Sequence, residues 1–516
     1  MLAGGFILQE RSNRESVRLF QQVLTLVSSR FVDTVADSSL YEKAARGLVH
    51  ELNDPYTVLF TPKENTAFST STGGRYGGIG MQIEEIKGSI AVSKVFPRTP
   101  AEEAGIQEGD RIIQIDTAVV TRTWKSEQVS NILKGTPGTK VTVKFSRPGV
   151  AEPITARFTR ATIHIPAIRY AIMADKGIGY VWLEQFNETA TGELESAIRQ
   201  LQAQGAKSLI LDLRDNPGGI LDQALSVSNL FVRRDQELLS IRDRSGQGPV
   251  YVAKDDPIVG SMPVVTLIDG GSASASEIVA GALQDHDRAL LVGTTSFGKG
   301  LVQTLFQLDG GYALKMTTAK YYLPSGRSIQ RERKVVDGRF VNEDEGPDSL
   351  ETDSARKARP AFKSDGGRTV YGGGGVTPDV IVKPDTISTV EQAVAKALGA
   401  KSQDAYATLA TYAQELKGQV SSPAFTVTQA WRDEFYRRLE ASKVTVDRKQ
   451  WDQATPFVDR LLGDRIARLA YGDSAVKRRQ IKDDTQLIRA IDLLKRGQSQ
   501  QELFTIAQRM QTASKR

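Results

Sequence analysis

Val264-Val265-Thr266-Leu267-Ile268-Asp269-Gly270-Gly271-Ser272-Ala273-Ser274-Ala275-Ser276-Glu277-Ile278 runs from an unbroken apolar stretch through small residues into a helix start. The order predicts a buried strand, a tight glycine turn and a helix N-terminus. Serine in that setting has two readings. A helix N-cap is the plainer one, since the hydroxyl accepts from unpaired N–H groups of the first turn. A nucleophile is the other, because those N–H groups and the positive end of the helix dipole stabilise negative charge growing on a bound carbonyl. By composition three hydroxyls compete, Ser272, Ser274 and Ser276.

Outward from this stretch, strands and helices alternate. Apolar runs at 179–183, 208–213 and 264–268 read as strands, and 191–202, 221–230 and 274–283 as helices, which together predict an α/β core. Strands at 289–292, 301–307 and 312–318 complete its sheets. Between about 331 and 375 the chain turns polar and glycine-rich, marked by Glu343-Asp344-Glu345-Gly346-Pro347 and Gly372-Gly373-Gly374-Gly375, and is expected to be a mobile surface insertion. Upstream, apolar residues including Val17, Leu19, Phe20, Val23, Leu24 and Leu26 recur at helical spacing, which fits either a capping bundle or a dimerisation arm. Gly73-Gly74-Arg75-Tyr76-Gly77-Gly78-Ile79-Gly80 then feeds short strands at 81–86, 90–95, 110–115 and 140–146, with helices at 100–106 and 128–133. After Val380-Ile381-Val382 the pattern is helical to the end.

The expected domains are therefore a helical region at 1–72, a β-rich domain at 73–160, an α/β core at 161–385 and a helical extension at 386–516. A length of 516 residues agrees with a multidomain α/β protein. The net charge of +6 is carried by the tail, since residues 477–516 hold ten Lys or Arg against four Asp or Glu. A basic helical tail is ordinarily solvated, so no nucleic-acid partner is expected. The absence of cysteine removes disulfides and thiol nucleophiles. Only three histidines occur, His50, His164 and His286, and they fall in different segments, which makes a Ser-His-Asp triad or a polyhistidine metal site improbable.

A second stretch, Ser296-Phe297-Gly298-Lys299-Gly300-Leu301-Val302-Gln303, sets a lysine between glycines. A surface turn is the plain reading of Gly-Lys-Gly alone. A lysine acts as a general base only when neutral, so burial has to lower its pKa from about 10.4. Ser354-Ala355-Arg356-Lys357 also has Ser-x-x-Lys spacing, but its polar surroundings offer nothing to desolvate a lysine.

The serine turn and the glycine-flanked lysine together resemble the signature of the carboxyl-terminal processing proteases, the tail-specific serine peptidases. The resemblance spans roughly residues 40 to 385 and includes Leu211-Asp212-Leu213-Arg214-Asp215-Asn216-Pro217-Gly218-Gly219. It implies a ClpP/crotonase-like protease core, Ser274 as nucleophile, Lys299 as base and Gln303 as the residue orienting it. Family spacing selects Ser274 over Ser272 and Ser276. By analogy the oxyanion hole falls to the backbone amide of Gly219, or its neighbour Gly218, with that of Ala275. No metal or nucleotide cofactor is implied.

Residues 77–146 look like the PDZ domain of that family. Amides of Gly78, Ile79 and Gly80 would grip a terminal carboxylate while a peptide adds as a strand beside Met81 and Ile83, its side chains meeting Val129 and Leu133. The implied function is a serine endopeptidase that captures unstructured, apolar protein C-termini. The expected partners are substrates with free C-termini, a second copy of the chain and a regulatory adaptor protein. A noncatalytic or latent PDZ adaptor is the competing reading. The resemblance places the protein in the periplasm, the cell envelope or a plastid lumen, and the apolar start Leu2-Ala3-Gly4-Gly5-Phe6-Ile7-Leu8 reads as a truncated export signal or anchor.

Overall fold

The computed structural model describes residues 3–86, 88–147, 150–336, 339–342 and 353–513. Its centre is a six-stranded sheet of Ile168–Asp175, Ile178–Leu183, Ser208–Asp212, Val264–Ile268, Leu290–Gly293 and Val380–Ile381, adjacent in that order. The first pair is antiparallel and the others are parallel. Every residue of Val264–Ile268 is buried, because helices cover both faces of the sheet, and this is why the strand reads as an unbroken apolar run.

The helices Ala190–Ala203, Leu221–Asn229 and Ala275–Asp285 cover one face, with Leu194, Ile198, Val227, Ile278 and Leu283 packed over Leu209, Leu211 and Leu291. The other face is covered from the far end of the chain. Leu487, Ile491 and Leu494 of Thr485–Arg496, with Leu503 and Phe504 of Gln500–Ala513, pack over Tyr180, Ile210, Val265 and Leu290. The last two helices are thus the second layer of the α/β core, so the boundary drawn at 385 cuts through that core. Basic residues of the tail serve this docking: Lys495 pairs with Asp175, and Lys477 Nζ lies 5.0 Å from the centre of the Tyr180 ring. The intervening helices gather around a core of their own, with Phe435, Leu439 and Trp451 at its centre.

A second, five-stranded sheet joins Val58–Phe60, Leu301–Gln307, Ala313–Tyr322, Glu237–Asp243 and Val250–Val252. Val58–Phe60 pairs with Ala313–Tyr322, so a segment assigned to the helical N-terminal region is instead a strand of the protease sheets. The N-terminal helix Ala3–Arg30 exposes Val17, Leu19, Phe20, Val23 and Leu26, so this unit does not bury its apolar stripe as a capping bundle would.

The β-rich domain is a six-stranded antiparallel sheet in which Lys140–Ser146 has the predicted bounds and Met81–Ile86 forms an edge. Two strands, Arg75–Gly78 and Ala161–His164, pair as its neck. Its outer side meets the C-terminal helices, where the Tyr406 hydroxyl donates to Glu84 at 2.8 Å and Lys94 pairs with Asp473.

The segment expected to be mobile at 331–375 is in its second half a built element. The strands Ala361–Lys363 and Thr369–Tyr371 pair, and Val370 is buried. Arg368 is ion-paired with both Asp287 and Asp379. Arg327, with no exposed surface, pairs with Asp285 at 2.7 Å and donates to the Tyr371 carbonyl. The acidic marker Glu343–Pro347 lies outside the described residues. Among the described residues no helix is long and apolar enough to cross a membrane.

Candidate active site

The strand Val264–Ile268 ends at Asp269, whose carboxylate accepts from the Gly271 and Ser272 amides and closes the glycine turn. Three serines follow, and their hydroxyls differ. Ser272 Oγ donates to the Leu213 carbonyl at 2.8 Å and accepts from the Asp269 amide, while Ser276 Oγ donates to the Asn216 carbonyl at 2.9 Å. Both residues are fully buried and their hydroxyls hold the turn together. Ser274 lies between them at the N-terminus of Ala275–Asp285 and lines a cleft of about 530 Å³. Its backbone stands at φ 53° and ψ −111°, a region that costs a non-glycine residue about 1–3 kcal/mol and is held only by surrounding structure.

That surrounding structure centres on Glu277, a residue given no role by the sequence reading. Its carboxylate, with no exposed surface, accepts from the Ser274 amide at 2.9 Å and the Lys299 amide at 2.8 Å through Oε2. Through Oε1 it accepts from the Ser296 hydroxyl at 2.5 Å and the Gly298 amide at 2.7 Å. One carboxylate therefore joins the serine turn to the lysine turn. Burial pushes its pKa up and these bonds oppose the rise. Ser-x-x-Glu is the capping-box spacing, the signal by which it could have been found. Tyr321 adds a second link, its hydroxyl donating to the Lys299 carbonyl at 2.5 Å and to the Ser274 carbonyl at 3.2 Å.

Lys299 lines the same cleft, its Nζ 4.7 Å from the centre of the Tyr56 ring. Gln303 lines it too, on the strand Leu301–Gln307, and its amide donates to the Thr317 hydroxyl at 3.4 Å.

Gly218 and Gly219 form the opposite wall. A Cβ on Gly218 would lie 2.6 Å from the Ala273 carbonyl oxygen, and one on Gly219 would lie 2.2 Å from that of Phe186. Positive φ values of 95° and 149° also favour glycine at both positions. The Gly218 amide already donates to Asn216 Oδ1, whereas the amides of Gly219 and Ala275 donate to no group among the described residues.

This turn is anchored from the far end of the chain. Arg214 pairs with Asp212 at 2.6 Å and with Asp484 at 2.8 Å, and also donates to Gln486. Burial would raise the Asp484 carboxyl, but hydrogen bonding and charge pairing with Arg214, with Lys477 behind, hold it at about 2.

The expected peptide-binding residues are brought together less openly. Met81–Ile86 pairs with Ser89–Val95 alone, leaving its outer edge without a partner strand among the described residues. Gly80 has φ 88° beside Thr99, and Ile79, Met81, Val129 and Leu133 share one buried cluster against which Ile83 packs. Val129 has no exposed surface, so it packs the domain interior instead of facing a peptide. The histidines lie away from the cleft. His286 caps the far end of Ala275–Asp285 and contacts Asp365 and the Glu237 carbonyl, and His164 contacts Glu193.

Comparison with known proteins agrees with this organisation. Peptidase family S41 matches residues 177–337, a PDZ domain residues 77–156, and the activating protease CtpB N-terminal domain residues 8–63. The carboxy-terminal-processing protease of Bartonella bacilliformis is 38% identical over 326 residues, covering 62% of this chain and 74% of that one. The carboxy-terminal processing protease CtpA of Bacillus subtilis is 35% identical over 306 residues, covering 59% and 65%. Among solved structures, a photosystem II D1 C-terminal processing protease is 28% identical with a TM-score of 0.38, covering 73% of this chain and 90% of that one. By sequence the chain belongs to the carboxy-terminal processing proteases, serine-type peptidases of family S41 that carry a PDZ domain.

Proposed function

We propose that the chain cleaves protein substrates near unstructured, apolar C-termini by a Ser274/Lys299 mechanism. The observation that carries the reading is Glu277, whose single carboxylate ties the Ser274 turn to the Lys299 turn in one cleft. Lys299 Nζ takes the hydroxyl proton as Ser274 Oγ attacks the scissile carbonyl. The carbonyl oxygen gains negative charge and is received by the amides of Gly219 and Ala275, at the positive end of the helix Ala275–Asp285. As the C–N bond breaks, Lys299 returns the proton to the departing amine, leaving an acyl ester on Ser274. Lys299 then takes a proton from the water that adds to the ester carbonyl and returns it to Ser274 Oγ as the ester C–O bond breaks, releasing the carboxyl product and restoring both residues. Gln303 steadies the lysine from the adjacent strand.

The free edge of Met81–Ile86 supports capture of a substrate tail by strand addition, with its terminal carboxylate at Ile79 and Gly80. The test uses an unstructured protein with an apolar tail. The full chain cuts it and Ser274→Ala binds it uncut; stoichiometric binding without cleavage by the natural sequence would instead establish the adaptor. The apolar residues exposed on Ala3–Arg30 support a self-association arm. In light scattering the natural chain then has the mass of an oligomer and Phe20→Glu/Leu26→Glu that of a monomer; equal masses rule the arm out.

A further inference from the structure

The cleft holds a second lysine that the proposed mechanism leaves without work. Lys315 lies on Ala313–Tyr322, flanked in the sheet by Leu305 on one side and Val58 on the other. Its Nζ is 5.4 Å from the centre of the Phe60 ring and 5.6 Å from that of Phe68. No carboxylate lies within ion-pairing distance of it among the described residues. Burial lowers the Lys315 pKa, and the charge of Asp54 partly opposes this. Among the described residues lining the cleft, the ionisable amines are Lys299, assigned to the reaction, and Lys315, and no Asp or Glu is present.

A half-buried ammonium beside the stacked rings of Phe60 and Phe68 has given up part of its hydration, and cation–π contact returns only part of that loss. A carboxylate entering the cleft would supply the missing partner, in surroundings where a charge-assisted hydrogen bond is stronger than on open surface. Contact with the stacked Phe60 and Phe68 rings places the ammonium beforehand, which lowers the ordering cost of forming that bond.

We infer that Lys315 forms a carboxylate subsite of the cleft, selecting substrates that place an acidic group beside the bond cut at Ser274. This rests on the Ser274 reading for the place of the cut. The carboxylate can come from an Asp or Glu side chain or from the free C-terminus of a short substrate tail, and both present the same chemistry to Lys315.

The test compares the full chain with Lys315→Met and Lys315→Arg on matched peptides sharing one cleavable sequence. One pair differs only in a C-terminal carboxylate against a C-terminal amide, and further pairs place Glu against Gln at successive positions flanking the cut. The natural chain should prefer at least one acidic peptide by about tenfold in kcat/KM, chiefly through KM, the size of one additional favourable ion pair. Lys315→Met should bring that ratio close to one, and Lys315→Arg should restore most of it. The pair that shows the preference identifies the source of the carboxylate. Absence of any acidic preference in the natural chain overturns the inference. So does a preference that survives Lys315→Met, or an equal loss on acidic and neutral peptides. Fluorescence anisotropy of the same peptides on Ser274→Ala and Ser274→Ala/Lys315→Met reads the preference without cleavage. A failed cleavage reading and a failed subsite are thereby told apart.

Discussion

Lys299→Ala and Ser274→Ala each lower kcat/KM for peptide cleavage by roughly 10⁴-fold or more, and the double variant is no worse than either single one. Non-additivity is expected because nucleophile and base act on one proton in one step. Both side chains face the cleft, so neither replacement opens a hole in the core, and the thermal unfolding midpoint should stay within a few degrees of the natural chain. Steady-state kinetics with calorimetry on the same preparations checks both halves. A single variant that keeps a tenth of the activity removes that residue from the mechanism.

Glu277→Ala has the second large effect, and it falls on stability and rate together. The change strands the amides of Ser274, Gly298 and Lys299 and the Ser296 hydroxyl around a carboxylate position that has no exposed surface. Unpaired buried donors cost about 1–3 kcal/mol each, so a loss on the order of 3 kcal/mol or more is expected after relaxation. The unfolding midpoint should fall clearly. Glu277→Gln keeps the shape but turns an NH₂ group toward backbone donors, so one pair of bonds is lost. It should fold and yet lose roughly 10²-fold in kcat with KM little changed, the mark of misplaced groups and not of weaker substrate binding. Rates within threefold of the natural chain for Glu277→Gln would show that the two turns hold their positions without this carboxylate.

How much of this was legible in the sequence depended on whether the information was local. Val264–Ile268 and the helix behind it were readable because a parallel strand buried on both faces leaves a continuous apolar run, and because small residues can make so tight a turn. The strand Lys140–Ser146 was readable from its own alternation. Val58–Phe60 was missed because three residues carry no periodicity, and its place comes from pairing with a strand more than 250 residues away. The helices Thr485–Arg496 and Gln500–Ala513 were readable as helices, but nothing local says that their apolar faces complete a sheet far earlier in the chain. The same holds for Arg214 and Asp484, 270 residues apart in sequence and 2.8 Å apart in space.

Within the site, spacing singled out Ser274 only by resemblance, whereas the hydrogen bonds of Ser272 and Ser276 give a physical reason to set those two aside. Between the oxyanion candidates, sequence could not separate Gly218 from Gly219. The bond from the Gly218 amide to Asn216 leaves Gly219 as the donor with capacity. Glu277 and Lys315 were overlooked for opposite reasons. The first looks like an ordinary first-turn acid of a helix, and the second like an ordinary strand lysine, until burial and neighbours are known.

The most direct test of the Ser274 assignment is to catch the acyl-enzyme. Full-length protein is mixed with a peptide ester carrying an apolar acyl group, quenched in acid within the first turnover, digested with a second protease and mapped by mass spectrometry. The proposed mechanism predicts the acyl mass on Ser274 alone, lost in Ser274→Ala and greatly slowed to appear in Lys299→Ala. Acylation of Ser272 or Ser276, or an adduct that forms at the natural rate in Ser274→Ala, would contradict it.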